Sequence, residues 1–90
     1  QATLIDTAWS GRRQSLYRLH LTAGAVHVSQ AHLPATIEHL YVISGRLSAG
    51  PQDQPVVLAP GDYMRYAGDG AHIYRAHETD VEALLIMTYD

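Results

Sequence analysis

Residues 38–49 read EHLYVISGRLSA, two short runs of apolar residues separated by a Ser-Gly pair. Valine, isoleucine and tyrosine are favoured in β-strands, and a two-residue connection such as Ser44-Gly45 is typical of a tight turn. We therefore predict a hairpin that joins a strand over residues 38–43 to a strand over residues 46–49.

The rest of the chain repeats this pattern of short apolar runs and turn residues. Similar runs lie at residues 15–22, 25–29, 56–58, 63–66, 72–74 and 82–89. No window of about 12 residues keeps the apolar period of a helix. Proline and glycine between the runs predict a hairpin-tip loop over residues 50–55 and a turn at residues 60–62. Runs this short predict an all-β fold, either a sandwich or a barrel.

Size and composition limit the possible functions. The chain has 90 residues, of which 47% are hydrophobic and 17% charged, as expected for a single domain over residues 1–90. It has no cysteine, which excludes disulfides and thiolate metal sites. Its apolar runs are far shorter than the about 20 residues of a membrane span, and no signal peptide pattern is present. We therefore expect a cytoplasmic protein that has no membrane partner.

The charge pattern argues against direct binding to nucleic acid. The formal net charge is -3, and all six basic residues are arginines. Only Arg12 and Arg13 are adjacent, and we predict that they lie in a solvated loop. A DNA-binding domain needs a basic stripe, so these residues are not expected to bind DNA by themselves.

The alternation of side chains along a strand separates candidate site residues that face the core from those that face outward. Glu38 shares the apolar, core-facing side of its strand, whereas His39 and Tyr41 face outward. On a later strand, His72 and Tyr74 share one face. The outward side of the first strand is a candidate dimer surface.

A metal site is one interpretation of the inward-facing residues. His32 precedes the first of these strands, so His32, Glu38 and His72 can converge inside a small barrel. Two imidazoles and one carboxylate suit a divalent metal such as Zn, Ni, Mn or Fe, with open coordination positions. A buried carboxylate also costs several kcal/mol unless it is paired or protonated. The alternative is a hydrogen-bonded cluster that holds no metal, and both interpretations stay open.

Two motifs resemble those of the cupin family. Residues 32–45 are similar to the first cupin motif, and residues 61–72 are similar to the second. The resemblance covers residues 21–89 and implies a small double-stranded β-helix, the jelly-roll barrel of cupins, with a cavity in its mouth. It also implies metal ligands at His32, Glu38 and His72.

The first motif departs from the family pattern at two positions. Pro34 stands where a second histidine is usual, which removes one of four ligand positions. Ala35 stands where glycine is usual, so the bend there must either avoid a positive φ or tolerate it.

A larger set of stretches resembles the cupin half of XRE-family bacterial regulators, which join an N-terminal helix-turn-helix domain to a C-terminal cupin. These are residues 21–24, 29–32, 38–47 and 58–62, followed by Asp69, His72 and Tyr74. This resemblance implies an effector-sensing domain that binds a small metabolite, a divalent metal or both. It further implies a homodimer that contacts DNA only through the attached domain. Because the sequence begins at Gln1, we expect it to be the C-terminal part of a longer regulator.

Several alternatives remain at this stage. Tyr66 and Tyr74 either line the cavity and orient a ligand through their hydroxyls, or fill the barrel with hydroxyls that reach its rim. His20, His27 and His77 are assigned no role. The alternative function is a free-standing metal-dependent cupin enzyme, such as a dioxygenase, isomerase or lyase. A third possibility is a cupin that only oligomerises and whose interior is filled by side chains.

Overall fold

The computed structural model describes residues 2–10, 12–30 and 35–89, and for residues 7–10 the backbone only. Within these ranges the chain forms strands and no helix, so none of the described segments could cross a membrane as a helix. The strands are β1 (Ala2–Ser10), β2 (Arg12–Leu21), β3 (Val26–Ser29), β4 (Ile37–Ser44), β5 (Leu47–Pro51), β6 (Val56–Leu58), β7 (Tyr63–Ala67), β8 (His72–Ala76) and β9 (Val81–Tyr89).

The strands form two antiparallel sheets that enclose the core. The five-stranded sheet has the order β1-β2-β9-β4-β7, and the four-stranded sheet has the order β3-β8-β5-β6. Every pairing within these sheets is antiparallel. Neighbouring strands of each sheet are often distant in sequence, as in a jelly roll. The predicted all-β fold is confirmed.

The alternation predicted for the central strands is also confirmed. In β4, Glu38 and Leu40 are fully buried, whereas Tyr41 is 44% exposed. In β8, His72 and Tyr74 are both buried. The inward side chains of the two sheets interdigitate to form one core, as is usual for packed sheets. Its buried hydrophobic residues are Leu19, Leu21, Leu40, Val42, Leu47, Ala49, Leu58, Tyr66, Tyr74, Ala76, Val81, Ala83 and Leu85.

The hairpin predicted at Ser44-Gly45 is wrong. β4 pairs with β7 and β9, whereas β5 pairs with β6 and β8, so the turn carries the chain from one sheet to the other. A register shift between Val42 and Ser44 bends β4 just before this crossing. The local residues specify a reversal of direction, but the pairing partners are chosen by the burial of each strand's apolar face.

Two other predicted connections are confirmed. β5 and β6 form a hairpin whose tip lies within residues 52–55. The turn at residues 60–62 leads directly into β7 and is closed by a hydrogen bond from the Asp62 amide to the Ala59 carbonyl (2.9 Å). The Gly61 amide donates to the Val42 carbonyl (2.8 Å), which fastens this turn to the end of β4.

The N-terminal strands were not predicted correctly. β1 was not recognised, and Arg12 and Arg13 begin β2 instead of lying in a loop. The Arg12 guanidinium donates to the Ala35 carbonyl (2.6 Å), and the Arg13 guanidinium lies 5.5 Å from the centre of the Tyr89 ring. Long arginine stems allow a strand position to be half-buried while the charged head finds partners. Ala35 itself has a φ of 69°, so it tolerates the left-handed conformation that the family's glycine favours.

We expect replacement of Gly45 to destabilise the domain more than replacement of Gly24. Gly24 and Gly45 have φ values of 78° and 82°, but a Cβ on Gly45 would lie 2.2 Å from the Asp80 carbonyl oxygen, and one on Gly24 would meet no atom within 4 Å. Gly24→Ala should therefore lower the free energy of unfolding by about 1 kcal/mol through backbone strain alone. Gly45→Ala should cost at least about 2 kcal/mol more because the Asp80–Val81 backbone must move. Urea unfolding of the two variants measures the difference, and equal losses would show that the crossing is not tightly packed.

Candidate functional site

The centre of the site is the carboxyl group of Glu38. This residue lies near the start of β4, between β7 and β9, and its side chain points into the space between the two sheets with no exposed surface. Tyr66 is its directly opposite partner on β7, and β8 of the other sheet brings Tyr74 and His72 to the same carboxyl group. Two sheets thus supply one polar cluster within an apolar core.

Two tyrosine hydroxyls bind the same oxygen of Glu38. The Tyr66 and Tyr74 hydroxyls donate to Oε1 at 3.0 Å and 2.8 Å, and the two hydroxyl oxygens lie 2.8 Å apart. Burial, and then the nearby carboxylate, raise the pKa of Tyr66 far above its ordinary value. Burial also dominates the still larger rise in the pKa of Tyr74. Both hydroxyls therefore stay protonated and act as donors, and they do not reach the rim of the barrel as one interpretation expected.

His72 contacts the other oxygen of the Glu38 carboxyl group. Its Nδ1 lies 3.1 Å from the Gly70 carbonyl oxygen, which can only accept, so Nδ1 carries a hydrogen. Its Nε2 lies 3.2 Å from Glu38 Oε2. The distance between these two atoms is one that a hydrogen bond or a shared metal ion can span.

The turn between β7 and β8 lies close to this polar cluster. A Cβ placed on Gly68 would lie 2.8 Å from Glu38 Oε2 and 3.1 Å from the Thr36 methyl group. The Gly68 amide donates to the Thr36 carbonyl (2.8 Å), which fixes this approach. A larger residue here would therefore displace the carboxyl group of Glu38.

The structure brings together four of the five predicted site residues. Glu38, His72, Tyr66 and Tyr74 form one buried cluster, and His32 lies outside the described residues. Among the residues that are described, no three His, Asp or Glu side chains are grouped closely enough to hold a metal ion. The third metal ligand proposed from the sequence thus depends on His32.

A cavity of about 170 Å³ lies beside this cluster, between the two sheets. Tyr74 is among its described lining residues and Tyr66 is not. The five-stranded sheet contributes Ala2, Tyr17, Leu19, Glu38, Leu85 and Met87, and the four-stranded sheet contributes His27, Ser29, His72 and Tyr74. A compartment of this size and position has room for a small molecule.

Sequence reasoning missed most of the lining residues. The sequence assigns His27 no role. Its side chain is exposed, but its ring stacks on Tyr74 with the ring centres 6.3 Å apart. Alternation over residues 25–29 places His27 and Ser29 on one face, and this was the available signal. Tyr17 and Met87 could not be found in this way, because their role depends on how the two sheets are stacked.

The outward side of β4 carries an exposed apolar patch. Tyr41, Ile43 and Tyr63 are 44%, 50% and 57% exposed. Tyr41 and Tyr63 are cross-strand neighbours, and the Tyr63 hydroxyl lies 2.5 Å from Nδ1 of His39. Burial, and then the nearby Arg65, lower the pKa of His39, so this histidine adds no positive charge beside the patch at neutral pH.

Comparison with known proteins connects this geometry to a family. No family model matches the chain. The HTH-type transcriptional regulator SutR of Escherichia coli (strain K12) is 34% identical over 59 residues, which are 66% of this chain and 33% of SutR. The chain thus spans about a third of the length of that regulator.

A solved structure decides the family. The Cupin_2 domain of an XRE family transcriptional regulator from Enterobacter cloacae superposes with a TM-score of 0.81 and 31% identity, over 86% of this chain and 82% of that domain. The chain belongs to the cupin family. The predicted resemblance to the cupin domains of XRE-family regulators is confirmed.

More distant structures share the cupin fold. An HTH_3 family transcriptional regulator from Vibrio cholerae has a TM-score of 0.81 and 22% identity, over 86% of this cupin domain and 43% of that chain. A cupin superfamily sugar phosphate isomerase from Silicibacter pomeroyi has a TM-score of 0.68 and 22% identity, over 86% of this domain and 51% of that chain. At this identity the likeness concerns the fold alone.

The raised pKa values of Tyr66 and Tyr74 predict an alkaline dependence of stability. Above the ordinary tyrosine pKa of about 10, the unfolded chain loses these two protons while the folded domain keeps them. The unfolded state then binds fewer protons, so the free energy of unfolding falls as the pH rises through this range. Near-ultraviolet absorbance should show a tyrosine fraction that ionises only on unfolding.

The control for this titration is the double variant Tyr66→Phe/Tyr74→Phe. This variant should lose the fraction of tyrosines that ionises only on unfolding. Its free energy of unfolding should also lose most of its dependence on alkaline pH. If the variant keeps this tyrosine fraction and this pH dependence, other tyrosines cause them.

Proposed function

We propose that this cupin domain senses a small molecule for a bacterial transcription regulator and controls DNA binding by an attached helix-turn-helix domain. The cavity beside Glu38 is the observation that carries the proposal, because it gives an effector a place to bind within a domain related to the cupin domains of XRE-family regulators. Such a regulator would act in the cytoplasm. A cupin that only oligomerises is less well supported, because its interior would leave no such space.

The walls of the cavity suggest how binding is transmitted. Leu19 and Leu85 belong to the five-stranded sheet, whereas His27 and Tyr74 belong to the four-stranded sheet. A ligand that contacts both sheets favours the relative arrangement of the sheets that fits it best. An effector acts through such a difference in affinity between two states, which is typically worth about 1–3 kcal/mol.

The proposal includes a homodimer. Helix-turn-helix regulators read two half-sites as dimers, and twofold symmetry is the commonest arrangement of identical subunits. The exposed patch of Tyr41, Ile43 and Tyr63 on the outer face of the five-stranded sheet supports this face as the contact between the two subunits. It lies opposite the cavity side of the same sheet, so the interface and the effector site would share β4.

A divalent metal, such as Zn, Ni, Mn or Fe, is proposed at Glu38 and His72. These side chains fit a metal, because two ligand atoms that each lie about 2.1 Å from one ion are separated by about 3.0–3.4 Å, and Oε2 and Nε2 are 3.2 Å apart. The bond between His72 Nδ1–H and the Gly70 carbonyl is the outer-shell contact typical of metal-bound histidines. His32 would supply a third ligand. A bound ion would act as a Lewis acid or as an anchor for ligand oxygen atoms.

Metal binding is expected to depend on the buried pair and not on a similar surface pair. In metal-free protein, Glu38→Gln or His72→Gln should lower the affinity for Ni²⁺ or Zn²⁺ by at least about 100-fold. Glu82→Gln is the matched control, since Glu82 also contacts a histidine (His20 Nδ1, 2.6 Å) but on the surface. Isothermal titration calorimetry measures the affinities. If the native domain takes up none of the four metals at micromolar concentration, the metal proposal is wrong.

The sensing function is tested on the full regulator that contains this domain. Thermal-shift screening of small metabolites should identify a stabilising compound, because a ligand that binds only the folded domain raises its stability. That compound should change the affinity of the dimeric regulator for its operator by about 5–150-fold. Sedimentation in the same buffer checks the dimer. If no class of metabolite stabilises the domain, or if stabilising compounds leave DNA affinity unchanged, sensing is excluded.

A metal-dependent cupin enzyme is the second candidate function, for example a dioxygenase, isomerase or lyase. The observation that favours it is the buried acid–base cluster of Glu38, His72 and Tyr74 beside a space that a substrate can enter. With metal bound, His72 would hold the ion and Tyr74 would hold a proton near the substrate. Turnover that needs metal and disappears in His72→Ala would establish this function.

A further inference from the structure

No lysine or arginine side chain is among the described residues that line the cavity. The chain has no lysine, and its six basic residues are all arginines. These arginines, at positions 12, 13, 18, 46, 65 and 75, all lie within the described ranges, and none of them is a lining residue. A carboxylate, phosphate or sulfate that enters the metal-free cavity therefore loses its hydration without gaining an arginine or lysine partner.

The acidic side chain of the cavity is equally unsuited to a cationic ligand. Glu38 has no exposed surface, and its Oε1 accepts hydrogen bonds from Tyr66 and Tyr74. Its Oε2 lies 3.2 Å from Nε2 of His72. An ammonium group would have to displace these contacts before it could reach the carboxylate.

The remaining surface of the cavity is mainly apolar. Leu19, Leu85 and Met87 form one wall, and the rings of Tyr17 and Tyr74 also line the space. Polar atoms that can meet a ligand without breaking the cluster lie on β3, at Ser29 and the exposed His27. The cavity volume of about 170 Å³ is close to that of apolar protein cavities that bind benzene.

We propose that the cavity binds a small, uncharged and largely apolar molecule of about eight non-hydrogen atoms. One hydroxyl or amide of this molecule would be oriented by Ser29 or His27. The proposal rests on the proposed function, in which this cavity is the effector site, and it names the chemical class of the effector.

Three probes of one shape but different charge test the class of ligand. Benzyl alcohol, benzoate and benzylamine are titrated into metal-free protein, and binding is followed by calorimetry and by ligand-observed NMR. Benzyl alcohol should bind, and benzoate and benzylamine should bind at least about tenfold more weakly because each must bury an uncompensated charge.

Two neighbouring residues of β9 test whether the probe occupies this cavity. Met87 is a cross-strand partner of Glu38 and lines the cavity, whereas Ile86 lies opposite His39 on the outer face of the same strand. Met87→Phe should weaken benzyl alcohol binding by at least about tenfold by filling the space. Ile86→Phe is the matched control and should leave the affinity unchanged.

Four results would overturn the inference. The first is benzoate or benzylamine binding to the metal-free protein as tightly as benzyl alcohol. The second is failure of benzyl alcohol to bind at millimolar concentration. The third is equal weakening by Met87→Phe and Ile86→Phe. Binding of benzoate only after loading with Zn²⁺ or Ni²⁺, without benzyl alcohol binding, would also overturn it while leaving the proposed function intact, since the metal would then define an anion site. Failure of the proposed function itself is seen separately, as operator affinity that no stabilising compound changes.

Discussion

The carboxyl group of Glu38 is held between two β-sheets, with no exposed surface, by two tyrosine hydroxyls and one imidazole. A buried carboxyl group is tolerated only when such partners replace water. The partners come from β7 and β8, which lie in different sheets, so the polar cluster also ties the two sheets together. Gly68 lies close to the same carboxyl group, and a bond to the Gly70 carbonyl orients the His72 ring that contacts it.

The chemical character of the cavity follows from the contacts of Glu38. Because Tyr66, Tyr74 and His72 occupy the oxygens of Glu38, the adjoining space presents mainly leucine, methionine and aromatic surface. A bound divalent ion would change this character, since it would place two positive charges beside the cavity. A metal-free sensor and a metal site therefore differ in whether an ion lies between Oε2 of Glu38 and Nε2 of His72. The regulator-like relatives support the sensor, and the same cluster is what an enzyme of this fold would use.

Predictions from sequence succeeded where the physical signal was local. The alternation of β4 and β8 was sufficient to place Glu38, His72 and Tyr74 inside, because successive side chains of a strand point to opposite faces. Local reasoning failed at Ser44-Gly45. The turn itself was correct, but the two strands that it joins pair with other strands and not with each other. Local reasoning also failed for β1, and for Arg12 and Arg13, whose positions depend on pairing with residues far along the chain.

The sequence by itself determined the all-β class, the cupin motifs, the inward side of the two central strands and the absence of any lysine that could face a ligand. These properties follow from residue type and from the two-residue period of a strand. Only the tertiary structure decided which strands pair, that two tyrosines bind one carboxyl oxygen, and that Tyr17, His27 and Met87 border the same cavity. The physical reason is that sheet order and the stacking of two sheets are chosen by contacts summed over the whole core, and no single segment carries that information.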